Sequence, residues 1–269
     1  MRGLEPLGTI TNNNVRNGRC ILDLPVGMTY DFIQLKLENI TPEQMEQFKV
    51  KVGTNPIWDV PHAGIIHDLN VYYSRKNKVS YLTLWFYRPE MATEEERMMT
   101  SLGTLGLSQV TVNWKNNLDA GDPEPAITAY AMRRKGEPLG LMTKIKEFSS
   151  ANLGSGRVEL TKIDKGPRIQ AMHLDNPAIS EIEVDVNAGL GTGKLIDASK
   201  ELLETTQEQA VHARTPVSAK FVHVDFNLQG KIIANLKTDQ LQDLRIYAKQ
   251  QAAGTINNYV EYIDALNGI

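Results

Sequence analysis

The second half of this sequence repeats the first, and no other feature constrains the fold as much. Ile33-Gln34, within YDFIQLKLENIT, is answered by Ile169-Gln170, within GPRIQAMHLDNPA, 136 positions later. Phe48-Lys49-Val50-Lys51-Val52 is answered by Ile182-Glu183-Val184-Asp185-Val186 at an offset of 134. The run from Val79 to Tyr87 is answered by Val217 to Phe226, and LSQVTVNW by LQDLRIYAK, where Gln109 matches Gln242 at 133. An amphipathic stretch over 62–75 is answered by another over 194–204. Each match is weak alone, but five in the same order at half the chain length amount to an internal duplication. The chain therefore reads as two tandem domains of one design. Residues 1–136 hold an N-terminal arm and the first domain, and 137–269 a connector helix and the second.

Most of the repeat unit has strand character. Tyr30 to Leu37 alternates, with Ile33, Leu35 and Leu37 on one face. Phe48-Lys49-Val50-Lys51-Val52 alternates cleanly, and VSYLTLWFY over 79–87 sets Tyr81, Thr83, Trp85 and Tyr87 on one face. Val110, Val112 and Trp114 alternate with Thr111 and Asn113. Short helices interrupt. Thr41-Pro42-Glu43-Gln44 is a capping box with Pro at the first helical position. Ile65, Leu69 and Tyr73 recur every four residues. Thr93-Glu94-Glu95-Glu96 is a second capping box, with Gly103 as the expected stop. Leu195, Ser199 and Leu202 predict a helix over Lys194–Glu204, and Leu139 to Phe148 predicts the connector helix. Gly154-Ser155-Gly156 reads as a flexible joint. Residues 1–18, polar and without period, read as an extended arm. Closely spaced strands with brief helical excursions describe an all-β sandwich or barrel in each half, not a βαβ fold.

Composition excludes several function classes. One cysteine, Cys20, excludes a disulfide framework within the chain and a Cys-based zinc site. No run approaches 18 apolar residues, and the N-terminus lacks the apolar segment of a signal peptide. Net charge is −3, with neither half basic, which excludes a sequence-independent grip on nucleic acid.

No catalytic constellation emerges from the motifs. Ala188-Gly189-Leu190-Gly191-Thr192-Gly193-Lys194-Leu195 mimics a phosphate-binding loop, but Ala188 replaces its first glycine and Leu195 its magnesium-binding hydroxyl. It reads as a strand-to-helix turn. His223-Val224-Asp225 begins like an iron-binding triad, yet no histidine follows residue 223, so a hydrogen-bonded pair at a barrel edge is expected. His62 and His67 lie five apart, not the four that align zinc ligands on a helix. Cys20 sits in an apolar strand and reads as a core thiol. Asp119, Asp122 and Glu124 offer the oxygens calcium needs, but in no EF-hand spacing. Trp58, Trp85 and Trp114 are too dispersed for a base-stacking platform. The expected catalytic, cofactor and metal residues are therefore none.

Leu24-Pro25-Val26-Gly27-Met28-Thr29-Tyr30, Phe86-Tyr87-Arg88-Pro89-Glu90-Met91, Leu102-Gly103-Thr104-Leu105-Gly106-Leu107 and Leu241-Gln242-Asp243-Leu244-Arg245 carry a family resemblance. The chain resembles the double jelly-roll major capsid proteins of tailless, membrane-containing icosahedral bacteriophages, of the corticovirus type and its marine Vibrio phage relatives. The likeness implies two tandem eight-stranded jelly-roll barrels, no enzymatic activity, and homotrimers whose six barrels approximate a hexagon. It implies an icosahedral shell over an internal lipid membrane and a double-stranded DNA genome, and synthesis in the host bacterial cytoplasm. The implied partners are neighbouring capsomers and other virion proteins at the vertices and membrane, without sequence-specific nucleic acid binding. The arm would reach neighbouring subunits or the membrane side. Calcium occurs at interfaces in the family, but no ligand string transfers to this sequence. Exposed members of Trp58, Trp114, Tyr72 and Tyr73 are the expected interface anchors. The alternatives are a carbohydrate-binding or cupin-like jelly-roll module, or a minor capsid or spike protein.

Overall fold

Alternating apolar residues become strands because one pleated face must leave water while the other stays wet. In the computed structural model, which describes residues 2–76, 78–152, 154–160, 163–187 and 193–268, these strands fall into two units, Met1–Lys146 and Glu147–Ile269. The first contains β1 (Gly3–Pro6), β2 (Arg19–Asp23), β3 (Met28–Glu38), β4 (Met45–Val52), β5 (Asn55–His62), β6 (Tyr81–Trp85), β7 (Leu102–Gly103), β8 (Val110–Asn116) and β9 (Ala126–Lys135). One of its sheets runs β1-β9-β3-β6 and the other β5-β4-β8-β2. With the two-residue β7 set aside, the pairing is first-eighth-third-sixth in one sheet and second-seventh-fourth-fifth in the other. That pairing defines a jelly roll.

The second set of strands has the same order. They are β10 (Met142–Asn152), β11 (Gly156–Glu159), β12 (Arg168–Asp175), β13 (Ile179–Val186), β14 (Lys194–Ser199), β15 (Val222–Asp225), β16 (Leu236–Lys237), β17 (Leu244–Gln250) and β18 (Gly254–Asp264). Their sheets run β10-β18-β12-β15 and β11-β17-β13-β14, with β16 as the short extra strand. The helices recur as well: α1 (Gly64–Tyr72) and α3 (Lys200–Glu208) each follow a fifth strand, and α2 (Glu94–Met98) lies between β6 and β7. The expected double jelly roll is the observed fold.

Each barrel closes on its own core. In the first, Ile33, Leu35, Phe48, Val50, Leu82, Leu84, Val112 and Ala131 are fully buried, and Cys20 and Leu22 close the β2 edge. In the second, Ile169, Met172, Leu174, Ile182, Val184, Val222, Val224 and Val260 do the same. The faces read from the alternation of β3 and β6 are the observed ones.

The third strand of each barrel fixes the true register of the duplication. β7 pairs with Thr29 and Tyr30, while β16 pairs with Arg168 and Ile169. The β3·β9 ladder shifts register between Tyr30 and Phe32, and the β12·β18 ladder between Ile169 and Ala171. Tyr30 therefore corresponds to Ile169, an offset of 139. The sequence match of Ile33-Gln34 to Ile169-Gln170 slips by three residues, because β12 is buried on both faces and carries no alternation to set its phase against β3. A threonine clamps the strand entry in both barrels. Thr104 Oγ1 accepts from Met28 N and donates to Met28 O, and Thr238 Oγ1 accepts from Gly166 N and donates to Pro167 O.

Five sequence expectations need correction. Leu139–Phe148 is not a connector helix: Met142 onward is β10, where Ile145 pairs in parallel with Trp58 and the Trp58 indole donates to Thr143 O at 2.9 Å. The residues follow a two-residue alternation, Lys146 and Phe148 half-buried against exposed Glu147 and Ser149. Lys194–Ser199 is a strand, and the helix begins only at Lys200, because Ser199 caps it by accepting from Leu202 N. Thr41–Gln44 makes a single 3-10 turn, and Gly103 does not stop α2 but lies in β7, where a side chain would overlap the carbonyl of Pro138. Residues 2–18 do not extend from the barrel. β1 pairs with β9, Thr11 N donates to Ile21 O, and Asn13 holds both backbone polar groups of Ile127, so Asn-rich sequence serves here to satisfy the chain's own backbone.

Candidate functional site

Each candidate motif resolves into local structure. Ala188–Thr192 of the glycine-rich string lie outside the described residues, and Lys194-Leu195 open a strand rather than a helix. His62 ends β5 and His67 lies in α1, its Nδ1 3.8 Å from Asp68. In the acidic loop, Asp122 Oδ2 accepts from Asp119 N at 3.0 Å and Asp122 N donates to Asp119 O, so the carboxylate closes its own turn. The Glu124 carbonyl accepts from Asn39 and the Asp122 carbonyl from Arg16. Among the described residues, no three His, Cys, Asp or Glu side chains are grouped to hold a metal ion. Cys20 is 1% exposed; burial, partly offset by Asn116, pushes its thiol up to about 11.

His223 and Asp225 share a strand face and bond to different neighbours. His223 belongs to a buried chain whose proton positions follow from the bonding. Its Nε2 accepts from Val217 N, so in the neutral ring the proton sits on Nδ1 and points at His173 Nδ1, 2.7 Å away. His173 then carries its own proton on Nε2, which donates to Glu261 Oε1 at 2.9 Å. Burial, reinforced by His173 and Lys200 and opposed by Glu261, holds His223 well below the usual imidazole range and keeps it neutral. Asp225 instead pairs with Arg214 Nε at 2.8 Å, both side chains being at most 1% exposed. Its other oxygen accepts from Asn227 N.

The first barrel has its own buried ionic centres, on residues that the sequence pattern did not single out as charged partners. Glu90 accepts from Arg88 Nε at 2.6 Å and Arg75 Nη2 at 2.8 Å, and both guanidiniums stack on Tyr73. Burial raises the Glu90 carboxyl, but Arg75 and Arg88 outweigh it and hold the group below the usual carboxylate range. Asp31, on the β3 bulge, meets Arg2, Arg134 and Ser101. These centres join segments far apart in sequence to one barrel wall. Each carboxylate faces donors of its own chain, an arrangement that fixes loops and offers no reacting group to a substrate.

The surface differs from the expected one. The expected aromatic anchors are not on it: Trp58 and Trp114 are 2% exposed, Tyr73 4% and Tyr72 0%. Their rings pack inward, Trp58 on Phe86 and Phe48 on Trp114, and the Tyr72 and Tyr73 rings meet edge to face. What the barrels present instead is aliphatic: Leu4 on β1, Val79 before β6, Leu195 on β14 and Leu202 on α3. The outer face of the second-strand sheet in the first barrel adds a shallow basic groove lined by Arg19, Lys49, Lys51 and Lys115.

Comparison with known proteins gives these surfaces a context. Residues 7–134 match the viral coat protein P2 N-terminal domain, and residues 142–266 the viral coat protein P2 C-terminal domain. The major capsid protein P2 of Pseudoalteromonas phage PM2 is 26% identical over 271 residues, covering 98% of this chain and 97% of that protein. The crystal structure of the major capsid protein P2 from bacteriophage PM2 superposes with a TM-score of 0.91 at 24% identity over the whole of both chains. The STIV major capsid protein superposes with a TM-score of 0.76 at 10% identity, over 99% of this chain and 97% of that one.

Proposed function

The chain belongs to the P2 family of viral coat proteins, and from that membership we propose that its working unit is a trimer with six barrels around one axis. It is a viral major capsid protein, a structural component of the virion and not an enzyme, which assembles with other copies of itself into a shell. The observation that carries the trimer is the double occurrence of one strand order in a single chain. Three copies of a twofold repeat approximate sixfold packing, so trimers tile flat facets of an icosahedral lattice. The lattice would enclose an internal membrane and a double-stranded DNA genome, with other virion proteins at the vertices and membrane. Synthesis would take place in the host bacterial cytoplasm.

Electron microscopy of the purified protein, with its mass in solution, tests this reading. Each chain weighs 30.0 kDa. A particle of about 90 kDa with a hexagonal outline supports it. A protein that stays at the mass of one chain at all concentrations and salt conditions refutes it.

A further inference from the structure

The two barrels treat their fifth strands differently. In the first barrel, the outer edge of β5 is occupied. Ile145 lies beside Trp58 in parallel, Thr143 accepts the Trp58 indole proton, and Arg88 donates to Thr143 Oγ1 at 3.0 Å. Trp58, Met142 and Ile145 are each at most 4% exposed, and seven of the nine residues of α1 are buried. The segment on the β5 edge is the beginning of β10, which continues as the first strand of a jelly roll, while α1 packs on β5 and β6.

In the second barrel, β14 pairs only with β13 among the described residues, and α3 buries only Gln207. Between them lies an open groove of 280 Å³ whose apolar lining is Leu195, Ile196, Leu202, Leu203 and Leu228. Leu195 is 49% and Leu202 56% exposed. The position covered in one repeat is thus bare in the other. A bare strand edge beside an apolar groove is a template for another strand.

We propose that this edge and groove receive β1 of a second copy, with Leu4 entering between Leu195 and Leu202. The only other strand that begins a jelly roll in this chain is β1. Like β10 it leads into its sheet beside an eighth strand, its outer edge is unpaired among the described residues, and Leu4 is 55% exposed. A fifth strand meeting the first strand of the next barrel is a head-to-tail contact. Repeated between copies with a threefold rotation, as the trimer reading requires, it closes into a ring rather than a face-to-face dimer. The inference rests on reading the protein as a trimeric capsid subunit and names the surfaces that join the copies.

The test joins the two edges covalently. Leu4→Cys is combined with Leu195→Cys, and in a second variant with Ala198→Cys, and the full-length protein is oxidised mildly. Non-reducing electrophoresis is expected to give a ladder ending near three chains, absent from either single variant. A separate Leu202→Arg variant is expected to shift the solution mass from about three chains to one with its circular dichroism unchanged. A disulfide formed within one chain overturns the inference. So does the absence of any crosslink together with a Leu202→Arg protein that keeps the wild-type mass. If the unsubstituted protein is itself monomeric, the trimer reading has failed, which separates the two results.

Discussion

Replacing Glu90 with glutamine removes one negative charge from a site where two guanidiniums share a carboxylate and a tyrosine ring. The Glu90 side chain is 3% exposed, Arg88 2% and Arg75 8%, so water does not compensate. Glutamine keeps the shape but turns one acceptor oxygen into an NH2 facing a guanidinium. Two buried guanidiniums then lose the carboxylate charge they share. Breaking a buried ion pair from one side costs about 3–5 kcal/mol. For a unit of this size, each kcal/mol moves the transition by about 2–4 °C, so the first barrel should melt roughly 6–20 °C earlier. Scanning calorimetry of Glu90→Gln beside the exposed control Glu95→Gln measures this. The pH dependence supplies a second reading. Because the folded carboxyl titrates below its unfolded value, its stabilisation is complete above about pH 4.5. It fades as pH falls through the lower folded value. Glu90→Gln should lose that acid limb. A shift no larger than that of Glu95→Gln, with an unchanged acid limb, would refute the claim that this carboxylate holds the two cations.

Four further outcomes are expected. The imidazole of His223 is held neutral, with a folded pKa below the ordinary value of about 6.5, so the second barrel loses stability as pH falls from there toward the folded value; melting temperatures at pH 7.5, 6.5 and 5.5 should fall in order, and His223→Gln should flatten the slope. Gly136→Ala drives a Cβ into the carbonyl oxygen of Gly27, a backbone contact that cannot rotate away, and should cost about 1–3 kcal/mol in urea unfolding. Thr104→Val and Thr238→Val each remove the side-chain acceptor of a backbone N–H at a barrel entry, Met28 N and Gly166 N, so each should cost about 1–3 kcal/mol despite lying in different barrels. Cys20 should resist a thiol reagent at pH 8 in the native protein and react at once in denaturant, since its thiol is buried and titrates only near 11.

The fold was legible where side chains alternate over a solvent boundary. Ile33, Leu35 and Leu37 are buried and Lys36 is not, as a half-wet strand requires. Legibility failed at Met142–Ile145, where both faces are covered and the alternation disappears, leaving a run that reads equally well as helix. It failed again at Lys194–Ser199, whose apolar spacing suits α3 but whose Ser199 starts that helix later. The polar arm misled for another reason. Asn12, Asn13 and Asn17 are not there to meet solvent or a neighbour; they donate to the backbone of Arg19, Ile127 and Leu118. The partners of Asn13 and Asn17 lie 114 and 101 residues away and leave no local pattern. Nor does the sequence mark Glu90 as the acid that Arg75 and Arg88 share, or show whether the rings of Trp58 and Trp114 anchor a core or an interface.

What the two barrels share shows which parts of the sequence the fold depends on. Apolar positions have been exchanged freely: Tyr30 stands where the second barrel has Ile169, and the interior position of Ile33 corresponds to Met172. Burial is non-directional, so any side chain of suitable volume serves. The contacts that satisfy displaced backbone have kept their chemistry. The bulge carbonyls of Asp31 and Gln170 accept from Phe86 N and Phe226 N. Three residues before each phenylalanine, the carbonyls of Thr83 and His223 accept an amide proton from Asn70 on α1 and Gln207 on α3. Threonine clamps both strand entries. A hydrogen bond to one particular carbonyl needs a donor at one place, and leaving that carbonyl buried and unpaired costs more than a poor apolar fit. A few directional contacts at the bends can thus hold a jelly roll in register while most of its surface and core change. That accounts for a duplication still visible in structure where its sequence alignment has slipped by three residues.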